Sequence, residues 1–430
     1  MTVYRARVMD TPDDPLHGGQ LRSDDDDALV VSDGVIIERA RFGELPPEHA
    51  GDEVVDLRHG VLLPGFVDTH VHYPQVRAIG ALGMPLLEWL ERCALPEEAR
   101  LLDPPYATAV AEEFVSGLVS AGTTTALVFG SHFAHAVDAL FTEATRVGVR
   151  VTSGLVVSDR GLPAPLLTDP QTAYDESIAL AERWHGAGGL TRYAVTPRFS
   201  YSAGNELLAA CASVHADVAG SWFTSHVNEN ASEVAEVARL FATSEHYVDT
   251  YDQHGLLGDR SVLAHNVHPT DPELDVLAAR RTAVAHCPSS NSALGSGLFP
   301  LRRHVERGVR VALGSDVGAG TGFSMLKEGL QAYFMQSLLG AAGLPLTAPH
   351  LLYLATRSGA HALGLGDEIG DLGVGRRFDA LWVRPLAGDP LDVCLRHAVS
   401  AEDALAKIFA LGGDADVAGV WVAGRRVKGV

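Results

Sequence analysis

An α/β fold, a TIM-like (β/α)8 barrel with a small β-sandwich domain built from both chain termini, is predicted by three features of the chain. Eight short apolar runs rich in Val, Ala, Leu and Thr recur through the middle, with helical stretches between them. Runs of that kind are strands buried on both faces, and their alternation with helices marks a parallel sheet. Both ends of the chain instead carry short β segments broken by Asp, Gly and Pro. The length, 430 residues, accommodates one barrel and a smaller partner.

Taken in order, residues 3–9, 28–37 and 53–57 read as the N-terminal strands. Between the first two lies the acidic run Asp24–Asp27, expected as a solvated turn. The eight runs of the middle are 61–67, 124–129, 149–156, 193–196, 222–225, 261–264, 283–285 and 309–313. Helices are expected over 106–121, 172–185, 206–215 and 233–243, and Thr270 with Glu273 forms a capping-box pattern ahead of Leu274. At the C-terminus 379–384 and 417–427 return to β character, with a hairpin turning at Ala423-Gly424. The resulting division is 1–62 with 366–430 as a composite β domain and 63–365 as the barrel.

Composition narrows the class. Lys and Arg number 33 against 54 Asp and Glu, a net charge of −21, which excludes a bound nucleic acid and disfavours an anionic membrane surface. With 47% hydrophobic and 20% charged residues the chain is globular rather than disordered. Cys93, Cys211, Cys287 and Cys394 are scattered without a CxxC pair. Neither a signal-type apolar core nor a membrane-length run is present, so a cytoplasmic protein with reduced thiols is expected. Only Lys327, Lys407 and Lys428 are lysines; every other basic residue is arginine.

Chemistry in such a barrel sits at the C-terminal ends of the strands. The first run ends Asp68-Thr69-His70-Val71-His72, and period-two alternation puts both imidazoles on one side. The fifth run ends in His226, the sixth in His265 and the eighth in Asp316. Four strands ending in His or Asp at one barrel mouth point to a zinc-like metal. His132, His135, His246, His254, His304 and His350 lack partner spacing and read as ordinary polar residues. Cys287 reads as a small buried residue, without the PCxxC of cytidine-deaminase zinc sites.

These residues are embedded in longer segments. PGFVDTHVHYPQ (64–75), LLEWLERCALPEE (86–98), GTTTALVFG (122–130), VTPRFS (195–200), SHVNEN (225–230), LAHNVH (263–268), AHCPSSNSALGSGLFPL (285–301) and GSDVGAGTGFSML (314–326) occur in that order. Together they resemble the guanine deaminases of the amidohydrolase superfamily. The chain departs from the common pattern at Asn228, often Ser or Cys, and at Ser315, commonly Thr.

The resemblance implies zinc held by His70, His72, His226 and Asp316, with Glu229 as proton shuttle and His265 beside the reacting carbon. It also implies a base pocket formed by Gln75, Arg198, Phe199, Glu229 and His265, and a homodimer. Gln75 offers an amide donor and acceptor, and Arg198 a planar fork suited to a ring carbonyl. Relatives with two metals bridge them by a carboxylated lysine at the fourth strand's end. Here that run ends Thr196-Pro197-Arg198, and no lysine precedes Lys327, so one Zn2+ per chain is expected. The expected activity is hydrolytic deamination of guanine to xanthine and ammonia in purine catabolism or salvage. The alternatives are a sister aminohydrolase acting on 8-oxoguanine, a pterin or a triazine, and a non-catalytic scaffold, which predicts lost ligands where none is lost.

Overall fold

The computed structural model describes residues 1–429. Four strands open the chain: β1 (Thr2–Asp10), β2 (Arg22–Ser32), β3 (Val35–Arg41) and β4 (Glu53–Pro64). Nine follow in the middle: β5 (Phe66–His72), β6 (Thr123–Phe129), β7 (Arg150–Gly154), β8 (Val156–Val157), β9 (Thr191–Pro197), β10 (Trp222–Val227), β11 (Ser261–His265), β12 (Ala283–His286) and β13 (Val311–Leu313). Three close it: β14 (Ala380–Val383), β15 (Val417–Val422) and β16 (Arg425–Lys428).

The middle strands form the barrel. Strands β5, β6, β7 and β9 to β13 pair in parallel in that order, while the short β8 pairs with the end of β9. Closure between β13 and β5 is made by Thr69 Oγ1 donating to Leu313 O (2.8 Å) and Asp316 N donating to His70 O (2.9 Å). Val67, Leu127, Ala194, Ala264, Ala285 and Ala312 belong to one buried cluster of mostly small side chains. Helices at Pro104–Ser120, Pro170–Trp184, Asn205–Asp217 and Ala231–Leu240 lie where the periodicity puts them, within two or three residues at their ends. The Thr270/Glu273 capping box opens Asp271–Arg280.

The first expected barrel run is divided in two. Residues 61–64 finish β4 of the other sheet, and the barrel strand starts at Phe66. Gly65 marks the crossing: a Cβ there would meet the Thr124 side chain at 2.3 Å, so only glycine lets the chain pass so close to β6. Its N–H donates to Asp379 O of the composite module (2.9 Å).

That module is a single hydrogen-bonded path, β16-β15-β14-β4-β1-β2-β3, in which only the β1/β4 pair is parallel. The sheet curls over on itself. Tyr4 of β1 and Trp421 of β15 stand three places apart in the path, yet their ring centroids are 5.7 Å apart. Ile36 N donates to Arg376 O and Phe378 N to Gly34 O, both at 2.8 Å, which ties edge strand β3 to the segment entering β14. Sandwich-like packing around Leu29, Ile36, Leu62, Phe378 and Trp421 results. The Ala423-Gly424 hairpin is present, with φ of 47° and 78°, the left-handed pair that a tight hairpin needs.

Asp24–Asp27 is not a turn. It lies within β2, where cross-strand arginines oppose it: Arg5 pairs with Asp26 (2.6 Å), Arg7 with Asp25 (3.0 Å) and Arg39 with Asp27 (2.7 Å). Strand pairing with an arginine-bearing neighbour overrides the turn preference of aspartate. No helix among the described residues is long and apolar enough to cross a membrane.

Candidate active site

The floor of the site is made by strand ends. His70 and His72 finish β5, His226 lies near the end of β10, His265 ends β11, and Asp316 follows β13. All five are buried. His70 Nε2 and His72 Nε2 stand 3.4 and 3.3 Å from Asp316 Oδ1, and His72 Nε2 faces His226 Nε2 at 3.1 Å. His265 Nε2 is 3.5 Å from Glu229 Oε2 and 3.8 Å from Asp316 Oδ2. His265 (φ 71°) and Asp316 (φ 49°) hold left-handed backbone, a cost tolerated where side chains must converge on one point.

The donor set fits a metal. His226 Nδ1 donates to Arg198 O (2.6 Å), which leaves its Nε2 with a lone pair. Burial, reinforced by the neighbouring His70, pushes the His72 imidazole down to about 3, and His226 is likewise held well below its ordinary value. Neutral imidazoles therefore face one another, and both ring nitrogens of His70 are buried without a partner. An unpaired buried nitrogen costs about 1–3 kcal/mol, and a cation accepting the ring's one free lone pair removes that cost at one of the two. Ligand atoms of His70, His72 and His226 lie within 4.8 Å of one another, and imidazole with carboxylate suits a zinc-like ion. Cys287 Sγ is near His70 and Asp316, but burial first, then the Asp316 and Asp68 charges, hold its thiol well above the usual range. It stays a small, protonated core residue.

Two carboxyls in this cavity are driven apart. Glu229 is raised well above the usual carboxylate range by burial, then by the charges of Asp316 and Glu233. Asp316 is held well below it: burial opposes, but the close approach of the His70 ring, with those of His265 and His72, prevails. Such a split is how one cavity holds both a proton carrier and an anion. Glu229 is set by its backbone N–H, which donates to Glu233 Oε2 (3.0 Å), while its Oε1 has no partner. The Asn228 departure has a local basis. Its backbone is left-handed (φ 49°), and its amide bridges Asn266 Oδ1 and Glu273 Oε1, both at 3.0 Å. Ser315 likewise donates from N (3.0 Å) and Oγ to Asp68, which also accepts His70 N, lacing β5 to the end of β13.

The wall of the pocket comes from loops and helices. Gln75 lies in the short helix Tyr73–Ala78 after β5, and Arg198 and Phe199 follow β9. With His72, His226, Glu229, His265 and Asp316 they line one cavity. His70 lies directly beneath, so all nine residues singled out in the sequence converge. Three groups were missed. Leu86, Trp89 and Leu90 cap the cavity from above, on a stretch where α-helix passes into a π-helical turn at Leu90–Ala94. Glu98, on Leu95–Arg100, is buried and accepts from Gln75 Nε2 and Arg198 Nη2, each at 2.7 Å. His132 is not an ordinary surface histidine: its Nδ1 is 3.5 Å from Glu98 Oε2 and its side chain is buried. His304 is also buried, against Asn266 Nδ2 (2.9 Å). The only sequence signal for Glu98 was its place in the segment shared with the guanine deaminases.

Comparison with known proteins agrees with this fold. The Amidohydrolase family profile matches residues 61–427. A probable guanine deaminase of Deinococcus radiodurans is 57% identical over 430 residues, covering 99% of this chain and 98% of the relative. The solved structure of Escherichia coli guanine deaminase superposes with a TM-score of 0.94 at 36% identity, covering 99% of both chains. A Clostridium acetobutylicum guanine deaminase solved with guanine in its active site gives 0.92 at 26% identity, again covering 99% of both. The strand-end histidines, the barrel that carries them and these matches lead to one conclusion: the chain belongs to the amidohydrolase family and, within it, to the guanine deaminases.

Proposed function

We propose that this chain hydrolyses guanine to xanthine and ammonia, using one Zn2+ held by His70, His72, His226 and Asp316. The observation that carries the reading is Glu229, a buried carboxyl with a free oxygen that shares one cavity with the neutral imidazoles of His72 and His226 and with the Gln75–Arg198 wall. When bound, the ion supplies acidification of water, so that a nucleophile is available near neutral pH. Glu229 takes a proton from the attacking water as oxygen bonds to C2 of guanine. It gives that proton to the ring nitrogen; the second proton of the water, on the added hydroxyl, then passes to the amine as the C2–N bond breaks, the C2 carbonyl forms and ammonia leaves neutral. Asp316 steadies the attacking water by a charge-assisted hydrogen bond, and His265 stabilises the negative charge that develops beside it. Gln75, Arg198 and Phe199 hold the base: amide and guanidinium address its polar edge, and the phenyl ring brackets its face. A neutral base needs no basic surface, which accords with a chain of net charge −21.

The C. acetobutylicum relative with guanine bound supports the substrate. The zinc count rests on the lysines, none of which lines the cavity: Lys327 is exposed and reaches Thr321 O, Lys407 pairs with Asp403, and Lys428 reaches Ser120 O. The same reading keeps the division into a catalytic barrel and a composite domain of both termini, with the first boundary at Gly65 rather than 62/63 because 61–64 finish β4, in a cytoplasmic homodimer whose four cysteines are free.

Steady-state assays with guanine, 8-oxoguanine, adenine, a pterin and ammeline test it. Guanine is expected to give the highest kcat/KM. No turnover of guanine, with turnover of another member of the panel, would overturn the proposal in favour of a sister aminohydrolase.

A further inference from the structure

Gln75 could present either end of its amide to a base, and nothing in its own residue type decides which. Its surroundings do. Glu98 Oε1 accepts the Gln75 Nε2–H at 2.7 Å, and a carboxylate cannot accept from the other end of the amide. Gln75 Oε1 is consequently turned the other way, and it is buried in the pocket wall without a partner. The same Glu98 oxygen accepts from Arg198 Nη2 at 2.7 Å, so the guanidinium is anchored while its other N–H groups remain for a ligand. Arg198 keeps Glu98 ionised: burial opposes, but the arginine charge, helped by His132, brings its carboxyl to about 2. Backbone makes room for this arrangement. A Cβ on Gly318, whose φ is +115°, would stand 2.2 Å from Gln75 Oε1. Glu98 itself belongs to the stretch that caps the cavity through Leu86, Trp89 and Leu90.

We infer that Glu98 is a positioning residue that fixes the hydrogen-bonding polarity of the recognition wall, holding Gln75 as an acceptor and Arg198 as a donor toward the base. The inference rests on the proposed deamination of guanine and deepens it. A wall with that polarity matches a ring that offers an N–H donor beside a carbonyl acceptor, the lactam edge of an oxopurine. It opposes 2,6-diaminopurine, which carries the same 2-amino group but reverses both positions on that edge, an amine for the carbonyl and a bare nitrogen for the N–H. Unpaired buried groups against the wrong base are the physical basis of the discrimination. His132, 3.5 Å from the other Glu98 oxygen, backs the carboxylate from behind.

The test compares kcat/KM for guanine and for 2,6-diaminopurine in metal-loaded wild type and in Glu98→Gln. A glutamine there can donate as well as accept, so the Gln75 amide is free to reverse. The expected result is a rise in KM for guanine of tenfold or more, a kcat changed by less than about threefold, an unchanged metal content, and a guanine:diaminopurine preference at least tenfold smaller. A role confined to packing slows both bases alike, so an unchanged preference overturns the inference, as does a KM within twofold of wild type. If Glu98→Gln does not fold, Glu98→Asp keeps the charge at a shorter reach and is expected to give an intermediate preference; an unaltered one again overturns it. Failure of wild type itself to use guanine counts against the proposed function and is read separately.

Discussion

The floor and the wall of the pocket are built on different principles. The floor sits on strand ends, with His70, His72, His226 and His265 placed by parallel pairing of β5, β10 and β11 and Asp316 by the turn after β13. The wall hangs on loops and a cap, and its rigidity comes from one carboxylate, Glu98, shared by two recognising side chains. Sheet geometry orients the chemistry, whereas a buried ion pair orients the recognition. Changes to the floor should therefore remove turnover, and changes to the wall should alter which base binds and how well.

The largest expected effect breaks the floor. Glu229→Gln removes the proton carrier yet leaves all four proposed ligands, so kcat is expected to fall about 10²–10⁴-fold with metal content unchanged. Turnover within tenfold of wild type would contradict the role given to Glu229.

Next comes the wall. Arg198→Ala leaves Glu98 buried without its partner, which costs about 3–5 kcal/mol of stability. It also removes the donor to the base, so kcat/KM for guanine is expected to drop at least about 100-fold, as loss of hydrogen bonds to a buried site does. Metal analysis separates this outcome from damage to the floor, because loss of metal would make Arg198 part of the floor instead.

A smaller effect tests the dryness of the barrel interior. His286, at the end of β12, is buried against Phe299 at 4.2 Å between ring centroids, with both ring nitrogens unpartnered. Burial, then the nearby His304 and His265, lowers it to about 3. The unfolded chain binds a proton at His286 below about pH 6.5 and the folded chain does not, so stability is lost as pH falls through that window toward 3. His286→Phe keeps the stacked ring and removes the titration. Relative to wild type, the variant is expected to gain about 2 kcal/mol of stability between pH 7.5 and pH 5, read from denaturant midpoints. Using the difference cancels Asp68 and Glu328, whose carboxyls burial raises to about 6 and about 8 and which act in the opposite direction.

The least effect on function is expected furthest from the pocket. Gly34, with φ of 76°, sits where the two hairpins of the composite module touch, and a Cβ there would meet Ala423 O at 2.1 Å. Gly34→Ala is expected to destabilise by about 1–3 kcal/mol, seen as a lower Tm, while kcat for guanine stays that of wild type.

The same contrast explains what the sequence could show. An HxH pair on an extended run and polar residues closing apolar runs follow from the two-residue period of a strand, so the floor was legible from spacing. The Ala423-Gly424 turn and the Thr270 cap were legible because their chemistry is local. Glu98 and His132 carry no such mark: one sits on a six-residue helix and the other in a loop, and only tertiary packing brings them to 3.5 Å. Trp89 and Leu90 stand inside the shared segment 86–98, with no spacing of their own to mark a place over the pocket. The run 61–67 misled because apolar residues continue on both sides of the crossing from one sheet into the other, with Pro64-Gly65 as its sign.

The central claim, a one-metal deaminase acting on guanine, is tested most directly by titrating metal-stripped protein with Zn2+ while recording xanthine formation from guanine. The account expects activity to rise linearly and break at one equivalent per chain. A break at two equivalents, or no xanthine at any zinc content, would contradict it.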